Sequence, residues 1–176
     1  YGTTYMILSA SRKGKMAAGL WGPWVHTDSP GWAGDYTVDY NFEANHWGLY
    51  ANNRLDAAWP QYPPLVDYLP KATADARFYD CSGYHFPGHV APMGEDATLT
   101  GEPWASMSIH SNGVLAALNM VQHYEYTQDK AFLRDVAFPF AVGVLQFYEC
   151  WMQRRADGSW INTKDQSHEC GGSNLT

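Results

Sequence analysis

The sequence predicts an all-α domain whose helices are joined by long, aromatic-rich loops. Apolar residues recur at three- and four-residue spacing in several stretches, which is typical of helices with one buried face. Residues that start helices or form turns separate these stretches. The 8 Trp, 12 Tyr and 7 Phe side chains fall both in the helices and in the loops between them. Such side chains serve cores, interfaces and sugar-stacking surfaces alike.

Length and composition limit the classes of protein that fit. The chain has 176 residues, so 1–176 is treated as one domain at most. Hydrophobic residues make up 45% and charged residues 16%, which argues against a disordered chain or a coiled coil. The formal net charge of -7 leaves no basic surface, so no nucleic acid is expected as a partner. No uncharged apolar run is long enough to predict a membrane span.

The first half of the chain contains less definite helical signals. Residues 5–8 are apolar and look like the interior of an element already under way, so we expect a processed or partial sequence. A helix that begins near Asn41 is a hypothesis for the polar block described below. A helix-like repeat covers 64–80, where Pro70 predicts a break or a kink.

The second half is dominated by helical signals. Asp129 is expected to cap a short helix that runs to Val136. Pro139 suits the first turn of a further helix over about 138–154. Before these, a helix over 103–127 is predicted to bury one apolar stripe, formed by Met107, Val114, Leu115, Leu118, Val121 and Tyr124.

Three long irregular segments lie between or after the helices, at 14–35, 81–102 and 158–176. Loops of this length are uncommon in compact domains and usually carry function. We therefore expect a helical scaffold with a functional site at one end.

The cysteines leave the cellular compartment open. Cys81, Cys150 and Cys170 leave one unpaired thiol if two of them pair. This pattern fits free cytosolic thiols or a secreted protein whose fourth partner lies elsewhere. A glycosylation acceptor at 174–176 favours a secreted or lumenal location, although a chance tripeptide has the same sequence.

The densest polar and aromatic block covers 32–47. If a helix begins near Asn41, the side chains of Asp39 and Asn41 can point the same way from the helix mouth. The alternative is an Asx turn and an N-cap, which these residue types favour on their own. Glu43 and Trp47 are four residues apart and are expected to share a helical face.

Other motifs point away from metal and cofactor chemistry. His85 and His89 are four residues apart, but Pro87 and Gly88 interrupt the helix that a zinc pair would need, and no third ligand has suitable spacing. Neither a phosphate-binding glycine loop nor a nucleophile elbow is present in the sequence. We expect no metal and no cofactor.

Glu169 lies in a polar loop near the end of the chain. Carboxylates in such loops are most often solvated surface groups. The alternative is a general acid, which needs burial beside aromatic walls to raise its pKa.

Several segments, in order along the chain, resemble glycoside hydrolase family 95. These are the opening Tyr-Gly-Thr-Thr-Tyr-Met-Ile-Leu-Ser-Ala-Ser-Arg, the Gly-Leu-Trp at 19–21, the Asp-Tyr-Thr-Val-Asp-Tyr-Asn at 35–41 with Asn-His-Trp at 45–47, and the His-Tyr-Glu-Tyr-Thr-Gln-Asp at 123–129. The resemblance implies an inverting α-L-fucosidase, or an α-L-galactosidase relative, acting on a carbohydrate. It also implies an (α/α)6 barrel of twelve helices, of which this chain would be an incomplete part.

The resemblance also implies roles for individual residues. The family's two water-positioning asparagines fall on Asp39 and Asn41. Asn41 matches, whereas a carboxylate at Asp39 would either accept the proton of the water or hold Asn41. The family's general acid falls on Glu169, whose neighbours depart from the Ser-Pro-Glu-Asn pattern. A later catalytic Asp of the family has no counterpart within the 176 residues. Sugar-binding positions are expected at Trp21, Trp32, Trp47, His46, His85 and His89.

Two further possibilities follow from these departures. One is a catalytically inactive carbohydrate-binding or structural subunit that keeps the aromatic cleft. The other is a related disaccharide phosphorylase, which would need phosphate-binding groups that the sequence does not show. In every case five or six helices cannot close a twelve-helix barrel, so we expect the remainder of the same polypeptide, or other subunits, as partners.

Overall fold

The computed structural model describes residues 2–97, 109–162 and 165, and its secondary structure is mostly helical. The predicted all-α class is therefore confirmed at this level, with two small antiparallel ribbons added. In the first half the helices are α1 (Gly2–Ala10), α2 (Asn41–Ala44), α3 (Trp47–Ala51), α4 (Leu55–Ala58), α5 (Tyr62–Asp67) and α6 (Leu69–Phe78), and the strands of the first ribbon are β1 (Tyr36–Thr37) and β2 (His89–Val90).

Proline positions set several helix boundaries. The predicted break at Pro70 is confirmed, because α5 ends at Asp67 and Pro70 lies in the first turn of α6. A proline has no N–H to donate, and the first turn of a helix is where that N–H is not needed.

In the second half, three helices are α7 (Asn112–Thr127), α8 (Lys130–Phe132) and α9 (Phe138–Trp151). Asp129 caps α8 as expected, since its side chain accepts hydrogen bonds from the N–H groups of Ala131 and Phe132. Pro139 lies in the first turn of α9. The two expected helices are nevertheless continuous, because a π-helical turn at Leu133–Ala137 joins them. The second ribbon, β3 (Gln153–Arg154) and β4 (Trp160–Ile161), follows.

The predicted buried stripe of α7 is wrong in part. Val114, Leu118 and Val121 are 38%, 48% and 40% exposed. The buried face instead contains Asn112, Gly113, Ala116, Asn119, Met120 and His123. Met107 and the predicted start of this helix lie outside the described residues.

The main core lies between the first ribbon and helices α2, α5, α6, α7 and α9. Its largest fully buried members are aromatic or long apolar side chains, namely Tyr36, Tyr62, Tyr68, Phe86, Phe140, Leu65 and Met120. A smaller cluster formed by Ala76, Cys81 and Phe147 joins α6 to α9.

Two close contacts attach the loop after α6 to α9. Cys81 and Cys150 form a disulfide across a sequence separation of 69 residues. Gly143 packs directly against the Tyr84 ring, and a Cβ at this position would lie 2.1 Å from a ring carbon of Tyr84. The Tyr84 N–H donates to the Gly143 carbonyl at 2.9 Å. These contacts determine where the following residue, His85, enters the core.

The continuous helical stretch Lys130–Trp151 is long and apolar enough to cross a membrane by length and composition alone. A core helix of a globular domain passes the same test, and this stretch contributes Phe140, Val144 and Phe147 to the buried clusters. The absence of a membrane span stays a prediction.

Candidate active site

The first ribbon places Asp39 and Asn41 at the entrance of α2. Thr37 pairs with His89 across the ribbon, and the Val38 N–H donates to the Gly88 carbonyl at 2.8 Å. The chain leaves the ribbon at Asp39 and enters α2 at Asn41, so the predicted helix start is confirmed. Asp39 is buried and Asn41 is exposed, which places a carboxyl group in the wall of the helix mouth and an amide at its surface.

Neither side chain occupies the N-cap position. That position belongs to Tyr40, whose side chain makes no capping hydrogen bond. The alternative in which Asp39 or Asn41 serves as the N-cap of this helix is therefore wrong.

Glu43 is a buried carboxyl group in the first turn of α2. Its side chain is 1% exposed, and neither carboxyl oxygen has a hydrogen-bond partner among the described residues. The pKa of Glu43 is raised to about 8, mainly by burial and in part by the negative charge of Asp39. At neutral pH Glu43 is therefore mostly protonated, so the helix mouth carries fewer negative charges than its sequence indicates.

Glu43 and Trp47 do not share a helical face, contrary to the expectation from their spacing. Glu43 is buried, whereas Trp47 is 42% exposed. The physical reason is that α2 ends at Ala44 and a separate helix begins at Trp47, so the helical relation between the two residues is interrupted.

His46 is fully buried at the junction of α2 and α3. Its Nδ1 lies 2.8 Å from the Phe42 carbonyl, and because a carbonyl only accepts, Nδ1 carries the proton and donates. Burial lowers the pKa of His46 to about 4, so the ring is neutral at physiological pH. The predicted sugar-binding residue therefore exposes no surface in this structure.

Trp47 presents an exposed ring whose indole nitrogen is anchored. Its Nε1–H donates to Oδ1 of Asn119 at 2.9 Å. The ring meets Tyr40 edge to face, with 5.7 Å between the ring centroids. Tyr40 is 43% exposed, so the two rings form an aromatic surface next to Asn41.

Trp21 and Trp32 form a second exposed aromatic pair. Their ring centroids are 6.2 Å apart, and the Trp21 Nε1–H donates to the Gly31 carbonyl at 2.8 Å. Trp21 also borders a cleft of about 400 Å³, together with Trp24 and with Asn45 at the end of α2. This cleft is large enough for a monosaccharide and lies next to the helix that Asn41 begins.

His89 is paired with a carboxylate behind the helix mouth. Its Nδ1 lies 2.8 Å from Oδ2 of Asp35, and both side chains are buried. The Thr37 hydroxyl donates to the other oxygen of Asp35 at 2.9 Å. The ribbon therefore brings His89 to the same end of the molecule as Asp39, although its side chain is engaged inside the wall.

His85 lies in a different cluster. Its Nε2 is 3.0 Å from Nδ1 of His110, and Tyr79 and Phe147 pack against its ring. The pKa of His85 is lowered to about 3, mainly by burial and in part by the charges of His110 and Lys71. The His85 ring is thus a neutral core group in this structure.

Asp165 connects this cluster to the segment that precedes Glu169. Its Oδ1 accepts from the His110 N–H at 2.7 Å. Its Oδ2 accepts from the Tyr148 hydroxyl at 2.9 Å and from the Asn162 amide at 2.7 Å. Glu169 itself, the predicted general acid, lies outside the described residues, as does Cys170.

Within the described residues, no three His, Cys, Asp or Glu side chains come together in an arrangement that could hold a metal ion. The sequence analysis missed Glu43 as a neutral buried acid and Asn119 as the partner of Trp47. A polar Asn at the centre of an apolar helical repeat was the one available signal for Asn119.

The comparisons with known proteins first identify the fold. The fold resembles the solved structure of a candidate kojibiose phosphorylase from the human microbiome, with a TM-score of 0.69 and 16% sequence identity. The match covers 93% of this chain and 23% of that chain. At this identity the likeness shows the fold alone.

The family follows from the sequence. The family model described as the glycosyl hydrolase family 95 catalytic domain matches residues 1–174, so the chain belongs to glycosyl hydrolase family 95. It is similar to a probable alpha-fucosidase A from Aspergillus niger, with 25% identity over 147 residues, and to alpha-L-fucosidase 2 from Arabidopsis thaliana, with 28% identity over 160 residues. These matches cover 82% and 88% of this chain but only 18% of each relative.

Proposed function

We propose that this chain is part of an (α/α)6 catalytic barrel that hydrolyses a terminal α-linked sugar of the fucose class with inversion. Family membership and the alpha-fucosidase names of the relatives support a glycosidase. The observation that carries the proposal is the position of Asp39 and Asn41 at the mouth of α2, beside the exposed rings of Tyr40 and Trp47. An amide and a carboxyl group next to an aromatic surface suit a water molecule and a sugar ring.

In the proposed reaction, a water molecule held by Asn41 and Asp39 attacks the anomeric carbon. The bond from that carbon to the leaving oxygen breaks, and the leaving oxygen takes a proton from Glu169. The water loses a proton to a carboxylate on its own side of the sugar, for which Asp39 is the candidate in this chain. Inversion needs the acid and the water-activating group to be roughly 6.5–9.5 Å apart, which leaves room for that water.

The remaining helices of the barrel would come from the rest of the same polypeptide. The chain spans about a fifth of the length of the curated relatives it matches. The exposed apolar residues of α7, namely Val114, Leu118 and Val121, are suited to packing against such helices. In this proposal the half-exposed stripe of α7 becomes buried in the full-length protein.

We also propose a secreted or lumenal location. The Cys81–Cys150 disulfide supports it, because structural disulfides persist mainly in oxidising compartments.

The test is release of nitrophenol from nitrophenyl α-L-fucoside and α-galactoside by the full-length protein. We expect the fucoside to be cleaved, and Glu169→Gln to lower kcat by about a hundredfold or more, since a general acid contributes on the order of 10²–10⁴. Asn41→Ala is expected to lower kcat by a similar order. The configuration of the first-formed sugar, observed by NMR, tests inversion.

Glu125→Gln is the matched control, because Glu125 is an exposed carboxylate on α7. An unchanged rate in Glu169→Gln would remove Glu169 from the mechanism. Sugar binding without turnover in the parent would favour the inactive carbohydrate-binding subunit, and turnover that requires inorganic phosphate would favour a phosphorylase.

A further inference from the structure

Asn119 is a buried amide at the centre of α7, and it bonds to three separate elements. Its Oδ1 accepts from Nε1 of Trp47 at 2.9 Å. Its Nδ2 donates to the Glu43 carbonyl at 3.0 Å and to Oε1 of Gln61 at 2.6 Å. The side chain is 1% exposed, and both of its amide protons and its oxygen are used.

The orientation of the Asn119 amide is determined by its partners. Trp47 Nε1 can only donate, so it needs the oxygen of Asn119, whereas the Glu43 carbonyl can only accept and needs the nitrogen. Gln61 is held in turn, because its Nε2 donates to the Tyr50 hydroxyl and to the Ala58 carbonyl, each at 2.8 Å. Flipping the Asn119 amide would therefore set donor against donor at Trp47.

Two of the three partners belong to the proposed sugar site. The Glu43 carbonyl lies in the same short helix as Asn41, and Trp47 opens the next helix. The Trp47 ring is 42% exposed, so its packing contacts cover only part of it. The hydrogen bond from Nε1 sets the rotation of this ring relative to Tyr40 and Asn41.

We propose that Asn119 is a positioning residue for sugar binding, which holds the Trp47 ring and the start of α2 in the arrangement that a sugar recognises. Asn119 acts through these groups and does not touch the sugar itself. This inference rests on the proposed function, since it takes Trp47 and Asn41 as parts of the sugar site.

A double-mutant cycle on the full-length protein tests the inference. Asn119→Leu removes the hydrogen bonds, and Trp47→Phe keeps an aromatic face but removes the indole N–H. Each single variant is expected to raise KM for the nitrophenyl fucoside by about tenfold, because a misplaced binding group weakens the substrate complex. The KM of the double variant is expected to be no higher than that of the single variant with the higher KM, since both changes break the same interaction.

Gln122→Leu is the matched control, because Gln122 is a partly buried amide on the same helix, and it should retain the parent KM. Losses that multiply in the double variant would overturn the inference. So would an Asn119→Leu variant whose kinetics equal those of Gln122→Leu.

Tryptophan fluorescence separates positioning from general destabilisation. The emission of Trp47 is obtained by subtracting the emission spectrum of Trp47→Phe from that of the parent. In the Asn119→Leu background, the spectrum of the double variant is subtracted from that of Asn119→Leu. We expect acrylamide to quench this component more strongly in Asn119→Leu, at a temperature where circular dichroism shows the variant folded. Asn119→Ala removes the same hydrogen bonds without adding a larger apolar side chain, and it serves where the leucine variant does not fold. It is expected to show the same stronger quenching of Trp47, and quenching at the parent level would contradict the inference.

Failure of the proposed hydrolase function gives a different result from failure of the inference about Asn119. A parent protein without turnover on any fucoside or galactoside contradicts the hydrolase proposal alone. The same cycle is then measured on the Kd for L-fucose, where non-additive losses support Asn119 as a positioning residue and additive losses overturn it. A parent that neither hydrolyses nor binds these sugars overturns both proposals.

Discussion

The buried and exposed faces of α7 both depart from the pattern of an ordinary surface helix. The buried face includes Asn112, Asn119 and His123, whereas the outer face has half-exposed Val114, Leu118 and Val121. An amphipathic surface helix normally buries its apolar stripe. The difference shows that burial in this chain follows the availability of partners as well as hydrophobicity. A buried polar side chain is stable where its hydrogen bonds are satisfied, and an apolar stripe stays exposed where nothing covers it.

Polar side chains on the buried, inner face of α7 also take part in a longer hydrogen-bonded network. Beyond Asn119 and Gln61, the Tyr50 and Tyr62 hydroxyls lie 2.8 Å apart, and the Tyr62 hydroxyl lies 3.1 Å from Nδ1 of His123. This network joins α3, α5 and α7 through directional contacts.

The largest expected loss of stability comes from a substitution on the buried, inner face of α7. Asn119→Leu should lower the free energy of unfolding by about 3 kcal/mol, because the buried polar atoms of Trp47, Glu43 and Gln61 lose their partner. Denaturant unfolding of the full-length protein measures this. Gln122→Leu on the same helix should cost less than about 1 kcal/mol. Equal losses of stability in the two variants would show that the hydrogen bonds of Asn119 contribute nothing beyond the loss of a partly or fully buried amide.

The next largest loss of stability is expected from a substitution on the exposed, outer face of α7. Leu118→Asn should lower the free energy of unfolding of the full-length protein by about 2 kcal/mol, because the proposed barrel places this side chain against further helices. Glu125→Gln, at an exposed polar position of α7, is the control and should leave stability unchanged. A Leu118→Asn variant as stable as the parent would mean that the outer stripe remains in water.

The smallest effect is the pH dependence of stability that comes from the carboxyl group of Glu43. The backbone carbonyl of this residue accepts a hydrogen bond from Asn119 on the inner face of α7. The folded pKa of about 8 lies above the ordinary value of 4.5, so the folded protein binds a proton that the unfolded chain releases. This contribution to stability is complete below about pH 4.5 and is lost as pH rises toward 8. Between pH 6 and pH 7 it should fall by about 1.4 kcal/mol.

Glu43→Gln isolates this contribution from those of the other titrating groups. The glutamine variant keeps the shape of the side chain and cannot ionise, so its stability should decline less steeply with rising pH than that of the parent. Unfolding of both proteins, measured at several pH values in this interval, gives the difference. Parallel pH profiles would contradict a protonated Glu43 in the folded state.

Local rules predicted much of the helical framework. The Asp129 cap, the break at Pro70, the first-turn position of Pro139 and the helix start at Asn41 each depend on the backbone chemistry of a few neighbouring residues. The order of the family segments along the chain likewise identified the family, and the family match over 1–174 confirms it.

Longer-range features could not be predicted in this way. The expected shared face of Glu43 and Trp47 failed because a helix boundary falls between them. The pairing of Cys81 with Cys150, and of His85 with His110, joins residues that are far apart in sequence. Nothing in their local spacing distinguishes these pairs from other combinations.

Composition and local pattern thus predicted a helical domain, and the resemblance of several segments indicated family 95 and the residues that could form its site. Only the folded chain decided which polar groups are buried, because burial depends on partners supplied from distant segments. Asn119 is buried because Trp47, Glu43 and Gln61 provide its hydrogen bonds, and Glu43 is neutral because the surrounding core removes the water that would stabilise its charge.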